Sequence, residues 1–119
     1  MAQPTPTGLY KLVTVNTAPD RARRPIGRVV EDVKDQYTII HAANSATIED
    51  VEKTVQEVQP DILFTASMWT PEESQQIIAI AKGVVPNLRT FSLPQGLQVA
   101  KGPDAVVEYI KGNLPALLD

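Results

Sequence analysis

Four arginines lie close together near the start of the chain, in a pattern that could bind an anion. Arg21, Arg23, Arg24 and Arg28 are four of the eleven lysines and arginines in a chain of net charge −3. Guanidinium groups pair with phosphate or carboxylate oxygens, and a helix N-terminus adds free N–H groups. The segment predicts a site for a small anionic molecule or a protein partner. The alternative is a solvated cluster that Asp20 partly neutralises.

The single histidine, His41, follows a predicted strand and is the candidate catalytic residue. An imidazole there could act as a general acid–base while Arg24 clamps an anionic substrate. The sequence supplies no fixed carboxylate partner, and one histidine without a second ligand predicts no metal site. Asn44, three residues later, is a candidate ligand contact, although turn chemistry explains it equally well.

Three further candidates follow the later strands. Ser67 and Trp69 come after the third predicted strand, and Gly96 comes after the fourth. An indole can stack on a flat ligand or anchor a partner, but it can equally cover the end of the core. Ser67 has no G-x-S-x-G sequence around it, which argues against a hydrolase nucleophile. Likewise, no GxGxxG or Walker sequence points to a dinucleotide or triphosphate site.

Hydrophobic periodicity and turn residues give the elements that must position these side chains. They are a strand at Leu9–Val15, a helix opened by Pro25, a strand at Tyr37–Ile40, a helix capped by Thr47 and stopped by Pro60, a strand at Asp61–Thr65, a helix from Thr70 to Pro86, a strand at Leu88–Leu93, a brief strand at Leu97–Ala100 and a helix from Gly102 to near Pro115.

Alternating strands and helices with short connections predict a three-layer α/β/α fold of the flavodoxin-like or Rossmann-like kind. Its sheet is mainly parallel, with four to five strands. Residues 9–119 form the single domain, and residues 1–8 are predicted to be a disordered tail. The carboxyl ends of parallel strands meet at one edge, where ligands of such folds bind. The loops predicted there are Asn16–Arg24, His41–Ser45, Ala66–Thr70 and Pro94–Gly96.

Composition limits the kinds of partner. A net charge of −3 argues against general nucleic-acid binding, and no apolar run is long enough to span a membrane. The chain has no cysteine, which excludes disulfides and thiolate chemistry and suits a cytoplasmic protein. The third helix has apolar residues on its outer side (Ile78, Ala79, Ala81), so a homo-oligomer is plausible. The final helix could instead cover them.

From Tyr37 to about Lys111 the sequence resembles the cobalamin-binding, flavodoxin-like domains of mutases and corrinoid proteins. The resemblance lies in the second strand, the P-D-I start of the third, and the small polar loop containing Ser67, with Gly96 near a glycine of the fourth loop. The family signature D-x-H-x-x-G falls on residues 22–27, where only Gly27 matches. Ala22 replaces the aspartate, and Arg24 replaces the histidine that ligates cobalt. The fold also resembles response-regulator receivers, but Thr-Ala-Ser replaces their phosphoacceptor aspartate and the lysine expected after their last strand is missing.

Three functions follow from these patterns, with the cofactor unspecified. The first is a binding or regulatory module for a small anionic ligand or a protein. The second is a small enzyme that uses His41 and Arg24. The third is a degenerate cobalamin-binding-type domain. The binding module ranks first, because the arginine cluster is distinctive and no complete catalytic set is visible.

Overall fold

The computed structural model describes residues 7–118, which form a four-stranded, fully parallel sheet with the order β2-β1-β3-β4. The strands are β1 (Thr7–Val15), β2 (Tyr37–Ser45), β3 (Ile62–Thr65) and β4 (Arg89–Ser92), and the helices are α1 (Pro19–Asp32), α2 (Val51–Val58), α3 (Pro71–Val84) and α4 (Leu97–Leu118). The flavodoxin-like α/β prediction is confirmed.

Helices cover both faces of the sheet, and each face has its own core. On one face, Leu12 and Phe64 pack against apolar side chains of α1 and α4. On the other, Val13 and Leu63 pack against α2 and α3. Neighbouring residues of each strand therefore enter opposite cores, as the alternation of side chains along a strand requires. β3 is buried at every position because helices lie on both its faces.

α3 begins where the sequence predicts. Thr70 Oγ1 accepts the Glu73 N–H, the Glu73 carboxylate accepts the Thr70 N–H, and Pro71 occupies the first turn. This capping box satisfies two N–H groups that would otherwise have no partner. α2 instead begins at Val51, later than the Thr47 cap predicts. Thr47 Oγ1 nevertheless accepts the Asp50 N–H, at 3.2 Å.

Two predicted boundaries near the arginines and His41 are wrong. α1 begins at Pro19, so Pro25 lies inside the helix and the arginines are helical rather than in a loop. Pro19 suits a first turn because it needs no N–H partner there. β2 continues through Ser45, so His41 and Asn44 belong to a strand and not to the predicted loop. Its extension pairs with the carboxyl-terminal half of β1, where Thr14 lies beside Asn44.

The chain after β4 also departs from prediction. Leu97–Ala100 is the first turn of α4 and not a fifth strand. Gly96 turns the chain with φ of 83°, and its carbonyl accepts the Ala100 N–H, which starts a helix immediately. Gly102, with φ of 85° and ψ of 176°, then kinks the helix. Beyond the kink the helix continues past Pro115, where the sequence predicted a break.

β1 begins at Thr7, so Thr7 and Gly8 belong to the sheet and not to the predicted tail. Residues 1–6 of that tail lie outside the described residues. Within the described part of the chain, no helix is both long and apolar enough to cross a membrane.

Candidate functional site

A crevice opens at the carboxyl edge of the sheet between the loops that follow β1 and β3. The chain runs from β1 to β2 on one side, whereas β3 lies on the other side of β1, so the connections diverge at this point. The loops after neighbouring strands separate at such a switch point, which leaves room for a ligand. The loop after β4 and the first turn of α4 close the third side of the crevice.

No charged side chain lines the crevice, and its walls mix polar with apolar groups. The lining residues are Asn16, Thr17, Ala18, Ala66, Ser67, Met68, Gln95, Gly96, Gln98 and Val99. Asn16 is 7% exposed, and its side-chain oxygen accepts the Ala18 N–H at 2.8 Å, which holds the first wall at the start of α1. Met68 and Val99 form an apolar rim, with 44% and 91% of their surfaces exposed. The crevice thus combines amide and hydroxyl groups with an apolar margin.

Ser67 joins two of the crevice walls. Its carbonyl accepts the Gly96 N–H at 2.8 Å, and its hydroxyl oxygen accepts the Gln98 N–H at 3.3 Å. The acceptor role leaves the Ser67 hydroxyl hydrogen available to donate. Ser67 and Gly96, both predicted site residues, therefore meet in the crevice.

A separate polar network lies over β1 and β2. Thr14 Oγ1 is 2.8 Å from His41 Nε2 and donates to Asn44 Oδ1 at 2.7 Å, and Asn44 Nδ2 donates to the Asn16 carbonyl at 2.9 Å. His41 and Asn44 are three positions apart and would face opposite sides of a regular strand. A bulge at Ala42, where Leu12 pairs with His41 but Val13 pairs with Ala43, brings both side chains to the face that carries Thr14.

The network fixes the proton on His41. The Thr14 hydroxyl has one hydrogen and gives it to Asn44, so neutral His41 must donate its Nε2 hydrogen to the Thr14 oxygen. Burial lowers the pKa of His41, and the nearby positive charge of Arg23 lowers it further, while a backbone hydrogen bond with Ala43 acts in the opposite direction. The lowered pKa favours the neutral form of His41, and in that form the Nε2 hydrogen is engaged by Thr14.

The predicted arginine cluster is divided between the sides of α1. Arg23 and Arg24 are both exposed, and the charge of Arg23 acts on His41. Arg24 lies one helical turn before Arg28, whose guanidinium pairs with Asp104 of α4. The backbone of Arg21 lies in the first turn of α1, and its side chain is outside the described part of the structure. Neither Arg23 nor Arg24 lines the crevice.

Trp69 is 7% exposed and packs in the core between the sheet and the α2–α3 layer. Its indole Nε1–H donates to the Val15 carbonyl at 2.8 Å. Most of its apolar surface and its one donor are used internally, so Trp69 is a core residue at the edge of the sheet.

The predicted residues therefore do not converge on one pocket. Ser67 and Gly96 line the crevice, whereas His41, Arg24 and Trp69 lie elsewhere. Asn16 was missed as an individual residue, although it is the first residue after β1 and so occupies the position where such folds place ligand contacts. Across residues 7–118, no group of three or more His, Asp or Glu side chains is arranged to hold a metal ion.

No protein-family model matches the chain, and no curated protein matches it. Solved structures do. The isolated receiver domain of RcsB from Salmonella enterica serovar Typhimurium, determined with the phosphomimetic BeF3−, is similar with a TM-score of 0.54 and 10% identity, over 85% of this chain and 72% of that one. A Salmonella typhimurium RcsB response regulator gives a TM-score of 0.56 and 10% identity, over 89% of this chain and 63% of that one. This chain therefore spans less than two thirds of that regulator, and the likeness establishes the fold.

Proposed function

We propose that this domain is a non-catalytic regulatory module that binds a small ligand, rich in acceptor oxygens, in the crevice between the β1, β3 and β4 loops. The observation that carries the proposal is the crevice itself. It lies at the switch point of the sheet, and its walls hold uncharged polar groups. A phosphate or carboxylate group on the ligand is the anionic chemistry that fits best.

The donors in the crevice support this ligand class. The Ser67 hydroxyl and the side-chain amides of Asn16, Gln95 and Gln98 can all donate to oxygen. The lining includes no carboxylate that would repel an anion. Met68 and Val99 at the rim suit an apolar part of the same ligand. Arg23 and Arg24 on α1 lie outside the crevice and contribute a positive field. This field should increase the rate at which an anion associates more than the affinity of the bound anion.

The proposed role is binding rather than receipt of a phosphoryl group. The receiver with BeF3− shares the fold, but β3 of this chain ends in Thr65, followed by Ala66 and Ser67. None of these residues supplies the carboxylate that the receiver resemblance would require. The enzyme alternative has less support, because the Nε2 hydrogen of His41 is engaged by Thr14 and Arg24 shares a helix side with Arg28.

A thermal-shift and NMR titration tests the proposal, with inorganic phosphate and a panel of phosphorylated and carboxylated metabolites. We expect at least one probe to raise Tm and to shift the amide signals of residues 16–18, 66–68 and 95–98. Thr17→Trp should fill the crevice and abolish both responses. Thr38→Trp, at an exposed position of β2, is the matched control and should keep them. Indifference to the whole panel, or equal responses in both variants, would refute the proposal.

A histidine-ligated cobalamin does not fit the residues present. Arg24 stands where the family signature has its histidine, and a guanidinium is always protonated and has no lone pair for cobalt. The degenerate cobalamin-type hypothesis therefore concerns a ligand held without that bond. Protein that is colourless after incubation with hydroxocobalamin and desalting would eliminate it.

A further inference from the structure

β4 forms an open edge of the sheet, and its outward backbone groups can be identified. The Arg89 N–H donates to the Asp61 carbonyl, and the Leu93 N–H donates to the Thr65 carbonyl, so these residues point towards β3. Alternation then directs the peptide groups of Thr90 and Ser92 away from β3. A row of such groups at a sheet edge is a template for another strand.

A groove runs beside this edge between α3 and α4. Its walls include Trp69, Pro71 and Tyr109, and Ser92 and Leu93 form its floor. Tyr109 is 37% exposed although its ring lies 5.4 Å from that of Phe91. β4 is only partly buried, in contrast to fully buried β3. Apart from Arg89 at its start, β4 is therefore an uncharged and only half-covered edge, as is typical of a surface that another strand completes.

The register of β4 suits pairing with a second copy of itself. Thr90 and Ser92 lie symmetrically on either side of Phe91. An antiparallel pair centred on a two-fold axis at Phe91 would therefore match Thr90 of each copy with Ser92 of the other. Each matched pair exchanges two backbone hydrogen bonds, so every outward group of these residues gains a partner. The Phe91 and Tyr109 rings of both copies would meet near the axis.

The charges of α3 agree with this register. Ser92 and Leu93 lie at the level of Ser74 and Gln75, since all four line the same groove. A strand advances about 3.3 Å per residue and a helix about 1.5 Å, which puts Phe91 near the level of residues 77–78. The same axis thus brings Glu72, in the first turn of α3, to the level of the partner copy's Lys82 in the last turn. Both side chains are exposed, and their charges are opposite.

The other edge of the sheet lacks these features. β2 contains the bulge at Ala42, which interrupts the regular spacing that a paired strand needs. We propose that the chain forms a two-fold dimer through antiparallel pairing of β4 with β4 of a second copy, which produces one continuous eight-stranded sheet with four strands from each copy. Salt bridges between Glu72 and Lys82 of the two copies fix the register.

Sedimentation equilibrium on the full chain, over a range of concentrations, tests the dimer by charge reversal. Glu72→Lys and Lys82→Glu should each raise the dimer dissociation constant about tenfold, because two attractive pairs become repulsive. The double swap should restore it. Glu57→Lys, at an exposed position of α2, is the matched control and should have no effect.

Hydrogen exchange gives a second readout that does not depend on substitutions. The amides of Thr90 and Ser92 should exchange more slowly as the protein concentration rises. A chain that stays monomeric at about 1 mM overturns the proposal, even if it binds an extended peptide at β4. A dimer that ignores both single substitutions overturns it as well, because its interface must then lie elsewhere.

Discussion

The two halves of the carboxyl edge of the sheet differ in how their polar groups are used. Over β2 and β1, the side chains of His41, Thr14 and Asn44 bond to one another and to the Asn16 carbonyl. Over β1 and β3, the crevice is lined by hydroxyl and amide side chains, among them Ser67, whose hydroxyl accepts the Gln98 N–H and keeps its own hydrogen to donate. In the first half, the side chains make their hydrogen bonds with one another and with the backbone. In the second half, hydroxyl and amide hydrogens can still donate to a ligand.

This difference shows that a polar residue at the sheet edge need not be part of a binding site. Residues from both halves lie at or next to the same edge, and both halves contain the residue types that chemistry uses. What distinguishes them is whether side-chain donors remain for a ligand once the internal hydrogen bonds are made. Substitutions in the first half should therefore reduce stability, whereas substitutions of exposed crevice side chains such as Thr17 should reduce binding and leave stability nearly unchanged.

Trp69→Ala tests the strongest case of an internally satisfied group, and its effect should be the largest. The substitution empties a buried volume and leaves the Val15 carbonyl without its indole donor. The expected loss in the free energy of unfolding is about 3–5 kcal/mol. Urea denaturation measures it. A loss below about 1 kcal/mol would mean that Trp69 serves a ligand rather than the core.

Thr14→Val compares the two halves directly. Valine keeps the shape of Thr14 but removes the hydroxyl that joins His41 and Asn44, so the loss should be about 1–3 kcal/mol. Thr17→Val is the matched control on the crevice side, where the exposed hydroxyl donates to the sulfur of Met68. Its expected effect is within about 0.5 kcal/mol. Equal losses in the two variants would contradict the distinction between the halves.

Most of the architecture could be predicted from the sequence because the apolar residues of the helices and strands recur at characteristic spacings. The apolar run before Thr65 and the cap at Thr70 are local signals, and the structure agrees with both. The extension of β2 could not be predicted, because residues 41–45 become a strand only through pairing with β1. The prediction that Pro25 opens the helix was wrong because a proline is disfavoured inside a helix and favoured in its first turn, a place that Pro19 takes instead.

The candidate site was predictable as a location but less so as a set of side chains. The switch point follows from the order of the elements, and Ser67 and Gly96 follow from their place after β3 and β4. The orientation of His41 depends on the bulge at Ala42, which no local pattern encodes. The use of the Trp69 indole depends on a carbonyl 54 residues away in sequence.

Gly96 offers a prediction of intermediate size within the crevice. A Cβ there would meet nothing within 4 Å, but φ is 83°, a conformation that L-residues rarely adopt. Gly96→Ala should therefore cost about 1 kcal/mol of stability from backbone strain alone. Gly96→Asn should cost less, because asparagine tolerates this region better. A larger loss for Gly96→Asn than for Gly96→Ala, measured by urea denaturation, would show that side-chain volume matters more than φ.

The pH dependence of stability should show the smallest effect, through His41. Its folded pKa lies below the ordinary value of 6.5, mainly because of burial and then because of the charge of Arg23. As the pH falls through about 6.5, the unfolded chain gains a proton that the folded chain resists, so the free energy of unfolding decreases. Above about pH 7 both states are neutral and the contribution is complete. Urea denaturation at pH 7.5 and 5.5 measures the difference, and His41→Gln should reduce it.

Arg23 and Arg24 provide a test variant and a matched control for this pH measurement. Arg23→Gln removes one cause of the lowered pKa of His41, so the loss of stability between pH 7.5 and 5.5 should shrink. Arg24→Gln should leave that loss unchanged, because Arg24 shares the side of α1 with Arg28, which pairs with Asp104 of α4. Identical pH profiles for the two variants would contradict the assignment of the effect to Arg23 alone, and the division of the cluster by α1 would then be wrong.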